Sequence, residues 1–345
     1  MTGTERFQAL MQGRLPDRVP VVCNLLDQGA AEVGLAPAEY YSRAEHVARG
    51  RVRLREKYGY DTVVGTFYLA LEAEVLGSRH VVFAQDGAPN LNPDRLVIHG
   101  ERDIERLEVP ADLADHPRFR EQAACVRLVK QGVKGEAPVV AIVTGSFSLP
   151  AILMGIGPWL ELLMCGRPAA AQLLLEKCSL FCRRHVAALR EAGADLIVYA
   201  NSVATADVIT LRQFRELALP ALQRDLDGLG TADLVYFNGG GRINPHLGHL
   251  LAETPLRAFY ISPLDDVAEA KRALTGRGLL IASINDIALI GWSAAEIDAE
   301  VGRIMKAGKD GGGFAFATLA MPLAIPERNI RAMLESAARH GAYGA

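Results

Sequence analysis

Cysteine is scarce in this chain: five residues in 345, odd in number and scattered through apolar segments as Cys23, Cys125, Cys165, Cys178 and Cys182. That excludes a disulfide framework and reads as a set of reduced thiols in a soluble cytoplasmic protein. An excess of one charge is also missing. The 37 Lys and Arg against 40 Asp and Glu leave a formal net charge of -3, so there is no electrostatic reason to expect nucleic acid or an anionic membrane as partner. No apolar run reaches the roughly 18–20 residues of a membrane span, and the N-terminus shows no signal-peptide core. Nucleotide-binding glycine spacing is absent as well. Gly239, Gly240 and Gly241 lack the third spaced glycine of G-x-G-x-x-G and the acidic residue that follows it.

What is present is a long, half-hydrophobic chain in which strand-like and helical stretches alternate. Apolar, β-rich runs fall near 19–24, 61–67, 138–144, 194–200, 233–238, 257–262, 278–284 and 312–318. Helical spacing covers 4–13, capped by its threonine, and then 37–58, 114–132, 157–166, 168–192 and 211–229. Eight strands alternating with helices predict an α/β fold of the (β/α)8 TIM-barrel type, with an open doubly wound sheet as the rival. With no low-complexity tract or linker, residues 1–345 read as a single barrel domain. It carries an N-terminal helical extension and a hairpin-like excursion near 80–98, where Pro, Asn and Asp crowd the turn.

The stretch 234–250, LVYFNGGGRINPHLGHL, shows the plan most plainly: an apolar strand stops at Asn238 and a run of glycines. A barrel strand delivers a side chain to the active-site mouth in this way. By the same rule Asn24, Thr144, Ser146, Tyr199, Asn201, Ser202, Ser262, Asn285 and Thr318 stand near strand ends, with Tyr68, Phe147, Phe237 and Met321 beside them. Converging, they would make an amide-and-hydroxyl pocket for a neutral polar heterocycle or a methoxy-aromatic. The competing reading is that Asn and Ser favour strand-to-helix turns and N-caps. Asp27, Glu72, Glu74, Asp265 and Asp286 are the carboxylates nearest strand ends, suited to moving a proton to a leaving atom or pairing structurally. His246 and His249, at i and i+3, lack an evident third ligand and read as helix-surface or capping residues. Cys178, Cys182 and His185 form one stripe of the helix 168–192, which reads as its buried face. No metal site is assigned.

TERFQALMQGRLPDRVPV near the N-terminus, then LALEAEVLGS and VTGSFSLP, together with two longer blocks, resemble the uroporphyrinogen decarboxylase superfamily, which includes methyltransferases that exchange methyl groups with corrinoid proteins. TERFQALMQGRLPDRVPV resembles the family's N-terminal helix and P-D-R-x-P-V. LALEAEVLGS is similar to its E-A-E-x-L-G, and VTGSFSLP to its T-G-P-F-[ST]-L turn. EAGADLIVYANSVATADVITLRQFRELALP and GGFAFATLAMPLAIPERNIRAM match two longer blocks, so the likeness is collinear over nearly the whole chain. Glu74 falls on the second Glu of E-A-E-x-L-G, with pairing to Arg18 of the P-D-R segment as its structural alternative.

Two departures narrow the implied activity. The decarboxylase's N-terminal R-Q-A-G-R-Y, whose arginines bind substrate carboxylates, corresponds here to CNLLDQGAAEVG, which has no arginine. The zinc motif of the thiol-activating methyltransferases, H-x-C-G with a late G-C-G-x-P, falls on Phe237-Asn238-Gly239-Gly240 and on Leu319 or Ala320. The resemblance therefore implies a corrinoid-dependent methyltransferase without zinc-thiol activation. It would move a methyl group between cobalamin, free or on a partner corrinoid protein, and a small O- or N-methyl substrate, or tetrahydrofolate. A decarboxylase-like lyase or a non-catalytic binding barrel are the alternatives. Asn238, Glu74 and Asp286 are the catalytic candidates, and a homodimer is the ordinary arrangement for such a barrel.

Overall fold

A computed structural model describes residues 1–68, 70–82, 87–165 and 167–343. Among them, the strands in chain order are β1 (Val21–Asn24), β2 (Val63–Val64), β3 (Val81–Val82), β4 (Asn90–Leu91), β5 (Val139–Thr144), β6 (Leu196–Ala200), β7 (Leu234–Phe237), β8 (Ala258–Ile261), β9 (Leu279–Ile284) and β10 (Phe314–Ala320). Eight of them form one parallel sheet in the order β1-β10-β9-β8-β7-β6-β5-β2. Its two edges meet where the Asp61 amide donates to the Val21 carbonyl at 2.9 Å, so the sheet curls into a (β/α)8 barrel. β3 and β4 make a separate antiparallel pair on the excursion, whose residues 83–86 lie outside the described residues. Among the described residues, no helix is long and apolar enough to cross a membrane.

The strands are continuous apolar runs because both faces are buried. Alternate residues (Val22, Val140, Val198, Val235, Ala258, Leu279, Ile281, Ala315 and Ala317) pack into the barrel interior. Those between them, such as Val139, Ala141 and Val143, pack outward against helices. The lower end is stoppered by the helix Gly3–Met11, which sends Phe7 and Leu10 into the interior cluster. Each such side chain contributes roughly 1.5–3 kcal/mol by leaving water. Its cap is Thr2 and not Thr4, because Glu5 stands three residues after Thr2 and completes a capping box.

Asp61 ties this stopper to the barrel. Its buried carboxylate takes Arg6 at 2.8 Å, Arg18 at 2.7 Å and the Val21 amide at 2.7 Å. β2 is shorter than the run 61–67 suggests, for a reason visible in the side chains. Buried Arg51 donates to the carbonyls of Val64, Thr66 and Phe67, Gln122 accepts the Phe67 amide, and the Thr66 hydroxyl accepts the Ile142 amide. The last ladder bond runs from the Gly65 amide to the Val140 carbonyl, and side chains replace the ladder beyond it. The helical stretch 37–58 divides into Pro37–Tyr40 and Ala44–Tyr58. The one at 211–229 contains a π-helical turn, Phe214–Ala218, just before Pro220, which cannot donate to Glu216.

Candidate active site

The C-terminal strand ends border a cavity of about 320 Å³. Leu26, Val64, Ala70 and Ile142 make its wall mostly apolar, and Ala88, Pro89 and Asn90 of the excursion close one side. Its polar groups are Asp27, Tyr41, Arg51, Thr66 and Tyr68. Tyr41 donates to Asp27, and Tyr68 to Glu74, so the cavity is edged by two phenol–carboxylate pairs. Burial and the neighbouring carboxylate both push these phenols up, which keeps each a protonated donor. Glu74 also faces Arg118 at 3.6 Å. The Arg18 pairing is therefore not made; Arg18 is on Asp61. Arg51 brings a positive charge to the wall; its two terminal nitrogens donate to the three carbonyls of the β2 segment, while its Nε has no partner among the described residues.

A second polar group sits inside the barrel beside the cavity. Asn24 donates to the Tyr260 hydroxyl at 3.0 Å and to the Thr318 carbonyl at 2.7 Å, and Tyr260 donates to that carbonyl too. The Tyr260 ring packs on Phe237, centroids 4.7 Å apart. Asp286 follows β9 at the same end, buried, with its carboxyl pushed up by burial. It lies near enough that its charge, after burial, helps to raise the Tyr260 phenol.

The four asparagines do not converge. Only Asn24 points into the barrel. Asn201 is buried behind β6 and accepts from Ser148. Asn285 is exposed and caps the Ala288 amide. Asn238, 2% exposed, donates to the carbonyls of Ala204 and Arg242 and so pins two loops together. Strand pleat explains this: residues one position out of phase with Val198 and Val235 face the helices. Tyr199 and Thr318 are outward for the same reason, with Tyr199 donating to Asp225. Ser146 is buried with its amide on Asp225, Phe147 packs under Trp159, and Met321 lies against Cys23. Ser262 donates to the Gly240 carbonyl, while Ser202 is exposed at the rim beside Gly239. The mouth thus keeps Asn24, Asp27, Tyr68, Glu74, Thr144, Phe237 and Asp286 of the expected set. It adds Tyr41, Arg51, Thr66 and Tyr260. Tyr41 and Arg51 lie in the charged helical stretch 37–58 and Tyr260 in mid-strand, where sequence position gives no sign of a site.

The other clusters are structural. His249 pairs with Glu253 at 2.8 Å on the surface. His246 is not a surface residue: it is fully buried and stacks on Phe214, centroids 4.0 Å apart, because its helix face packs on the π-helical turn. Glu72 accepts the Thr144 amide and faces His185 at 3.1 Å. Asp265 caps the amides of Ser262, Ile243 and Asn244. Among the described residues, no three His, Cys, Asp or Glu side chains gather so as to hold a metal ion.

Asp225 gives a pH-dependent prediction. It is buried against Tyr199, Ser146 and Ser179, and burial raises its carboxyl above the ordinary range. A raised carboxyl favours its protonated form in the fold. The stability it contributes is whole below the usual Asp value of about 3.9 and is lost as pH rises through the raised value. Asp225→Asn is expected to remove that decline, so its stability relative to the parent should improve steadily above about pH 4. Urea unfolding from pH 4 to 8 measures it; parallel pH profiles would contradict it.

With this geometry the comparison with known proteins becomes specific. The family model for uroporphyrinogen decarboxylase (URO-D) matches residues 2–340. The chain belongs to the URO-D family. Within that family, a methylcobamide:CoM methyltransferase (MtaA) of Methanosarcina barkeri is 24% identical over 311 residues, 88% of this chain and 89% of that one. A methylcobamide:CoM methyltransferase (MtbA) of Methanosarcina mazei is 22% identical over 344 residues, 97% of each. A uroporphyrinogen decarboxylase of Chlorobium phaeovibrioides is 28% identical over 216 residues, 61% of this chain and 60% of its own length. A solved methyltransferase from M. mazei shares the fold with a TM-score of 0.85 at 19% identity, covering 98% of this chain and 99% of that one.

At the positions of the zinc motif of the thiol-activating methyltransferases stand Phe237, Gly239 and Leu319 or Ala320. Phe237 is packed on Tyr260 inside the barrel, together with Leu319. Gly239 has φ of 63°, and a Cβ there would stand 2.1 Å from the Ser202 hydroxyl. An imidazole and two thiolates have no counterpart here, and a cysteine at 239 would be strained as well as blocked. These residues do not fit zinc in the family's manner.

Proposed function

We propose that this protein is the methyltransferase component of a corrinoid-dependent system. It moves a methyl group between a corrinoid and a small, largely apolar O- or N-methyl compound, without zinc-thiol activation. The observation that carries this reading is the mouth itself. It is a mostly apolar cavity edged by two phenol–carboxylate pairs, in a chain whose full-length relatives bear the name methylcobamide:CoM methyltransferase, while the zinc positions are filled by Phe237, Gly239 and Leu319.

When bound, a reduced corrinoid supplies the nucleophile for a methyl group. The cavity of about 320 Å³ suits a small substrate and is too small for a corrin macrocycle, so the corrinoid belongs above the mouth. The loops there expose Val208, Leu264 at 65%, Ile287 at 64% and Leu323, an apolar rim suited to a partner that presents the corrinoid. Inside, Leu26, Val64 and Ile142 hold the substrate's apolar body. Asp286 holds a proton for the leaving oxygen or nitrogen, and the Tyr41–Asp27 and Tyr68–Glu74 pairs present oxygen acceptors that orient the substrate. With Asn24 alone of the four asparagines facing inward, the mouth offers little amide lining for a pterin such as tetrahydrofolate. A tetrapyrrole decarboxylase is disfavoured because the cavity's one cation, among the described residues, is Arg51, which is already engaged.

The test mixes purified protein with reduced cobalamin and a panel of O- and N-methyl compounds, and follows the corrinoid spectrum with and without EDTA. Formation of methylcobalamin with one compound class, unchanged by EDTA and with substoichiometric zinc by metal analysis, is the expected result. Stoichiometric zinc whose removal abolishes the reaction would overturn the zinc-free part. A silent spectrum with every compound, and with methylcobalamin in reverse, would overturn the transfer itself.

A further inference from the structure

The cavity at the opposite end of the barrel, about 480 Å³, is larger than the one at the mouth. It lies beside the N-terminal helix that stoppers the barrel, where Leu10, Met11 and Gly13 form one wall. The segments leading into β7, β8, β9 and β10 and the end of the helix Val267–Leu274 form the rest. They bring three cations, Arg257, Lys271 and Arg277, and no carboxylate lines the cavity.

Arg190, Arg242 and Arg303, by contrast, each sit on a carboxylate. Among the described residues, Arg257, Lys271 and Arg277 make no ion pair. Lys271 is half-buried, donates to the Gly312 carbonyl, and is lowered by burial; Asp310 acts on it only from a distance. Arg257 spends one terminal nitrogen on the carbonyls of Thr254 and Leu256, leaving the rest of its guanidinium free.

The backbone adds donors to the same wall. Gly276, Gly311, Gly312 and Gly313 all line this cavity with positive φ, from 60° to 75°, a conformation that glycine adopts without strain. The Gly312 amide is bonded to the Lys309 carbonyl. Among the described residues, no protein acceptor engages the amides of Gly276, Gly311 and Gly313. Unmatched guanidinium, ammonium and amide donors around one cavity are the complement of an oxyanion.

We propose that this lower cavity is a binding site for a small molecule carrying a phosphoryl group, held by Arg257, Lys271 and Arg277. The site stands apart from the mouth and does not depend on the chemistry there. The probe is inorganic pyrophosphate, titrated calorimetrically into the full chain at low ionic strength. Saturable one-to-one binding that weakens as salt is added is expected. Lys271→Gln and Arg277→Gln should each lower affinity about tenfold, the worth of one charged hydrogen bond. Arg277 is exposed, so Arg277→Gln keeps the fold and carries the test if Lys271→Gln does not. No binding at millimolar pyrophosphate, or binding that both substitutions leave unchanged, would overturn the site. Tighter binding of citrate than of pyrophosphate would overturn the phosphoryl assignment.

Discussion

Asp286→Asn is expected to lower the methyl-transfer turnover by a factor of about 10² to 10⁴, the usual worth of a positioned general acid, with little change in KM. Transfer from oxygen or nitrogen to a corrinoid leaves charge on the departing atom, and a proton delivered there is what the step lacks. Asp286 is buried at the mouth end of β9, and burial holds its carboxyl above the ordinary range. Being raised, it keeps its proton to higher pH than a free aspartate, so it can act as a donor. Turnover should therefore fall as pH climbs through that raised value, and the asparagine variant should lose this limb as well as the rate. Asp27 and Glu74 are weaker candidates, because each already accepts a phenol proton. Stopped-flow spectra of the corrinoid at saturating substrate, from pH 5 to 9, decide the matter. An asparagine variant with the parent's turnover would remove Asp286 from the chemistry.

The barrel was legible in the sequence because a strand buried on both faces must be apolar throughout, and eight such runs stand between helical stretches. The mouth was legible only in part. A strand end can be read from its glycine or asparagine, but the phase of the pleat cannot when both faces are apolar. One residue of phase separates Asn24, inside the barrel, from Asn201 and Asn238, which tie loops outside it. Asn285 satisfies its turn, as asparagine commonly does. Tyr41, just after the helix Pro37–Tyr40, and Arg51, within the helix Ala44–Tyr58, reach the mouth by packing, a relation without a local signal. At Phe237 and Gly239 no phase is needed, because the identity of a side chain that cannot ligate a metal is a fact of composition.

Arg51→Met should destabilise the fold by roughly 2–5 kcal/mol, and the sign follows from weighing two opposed terms. Removing a buried charge relieves its desolvation, which favours the variant. Against this, the carbonyls of Val64, Thr66 and Phe67 lose their donor, and each unsatisfied buried group costs about 1–3 kcal/mol. Those carbonyls cannot turn to other partners. Gln122 holds the Phe67 amide, and the Thr66 hydroxyl holds the Ile142 amide, so the segment is fixed on its far side. The cost side should win. Arg51→Lys is the informative control, since one ammonium cannot reproduce a planar fork spread over three carbonyls; it should recover less than half of the loss. Because the same segment carries Thr66 and Tyr68 into the cavity, the methionine variant should also bind substrate poorly at temperatures where it remains folded. Urea unfolding of the three proteins gives the energies, and substrate titration of the folded methionine variant gives the second effect. A methionine variant within 1 kcal/mol of the parent would mean that the β2 segment holds its course without Arg51, and that the cavity wall is set by the strands alone.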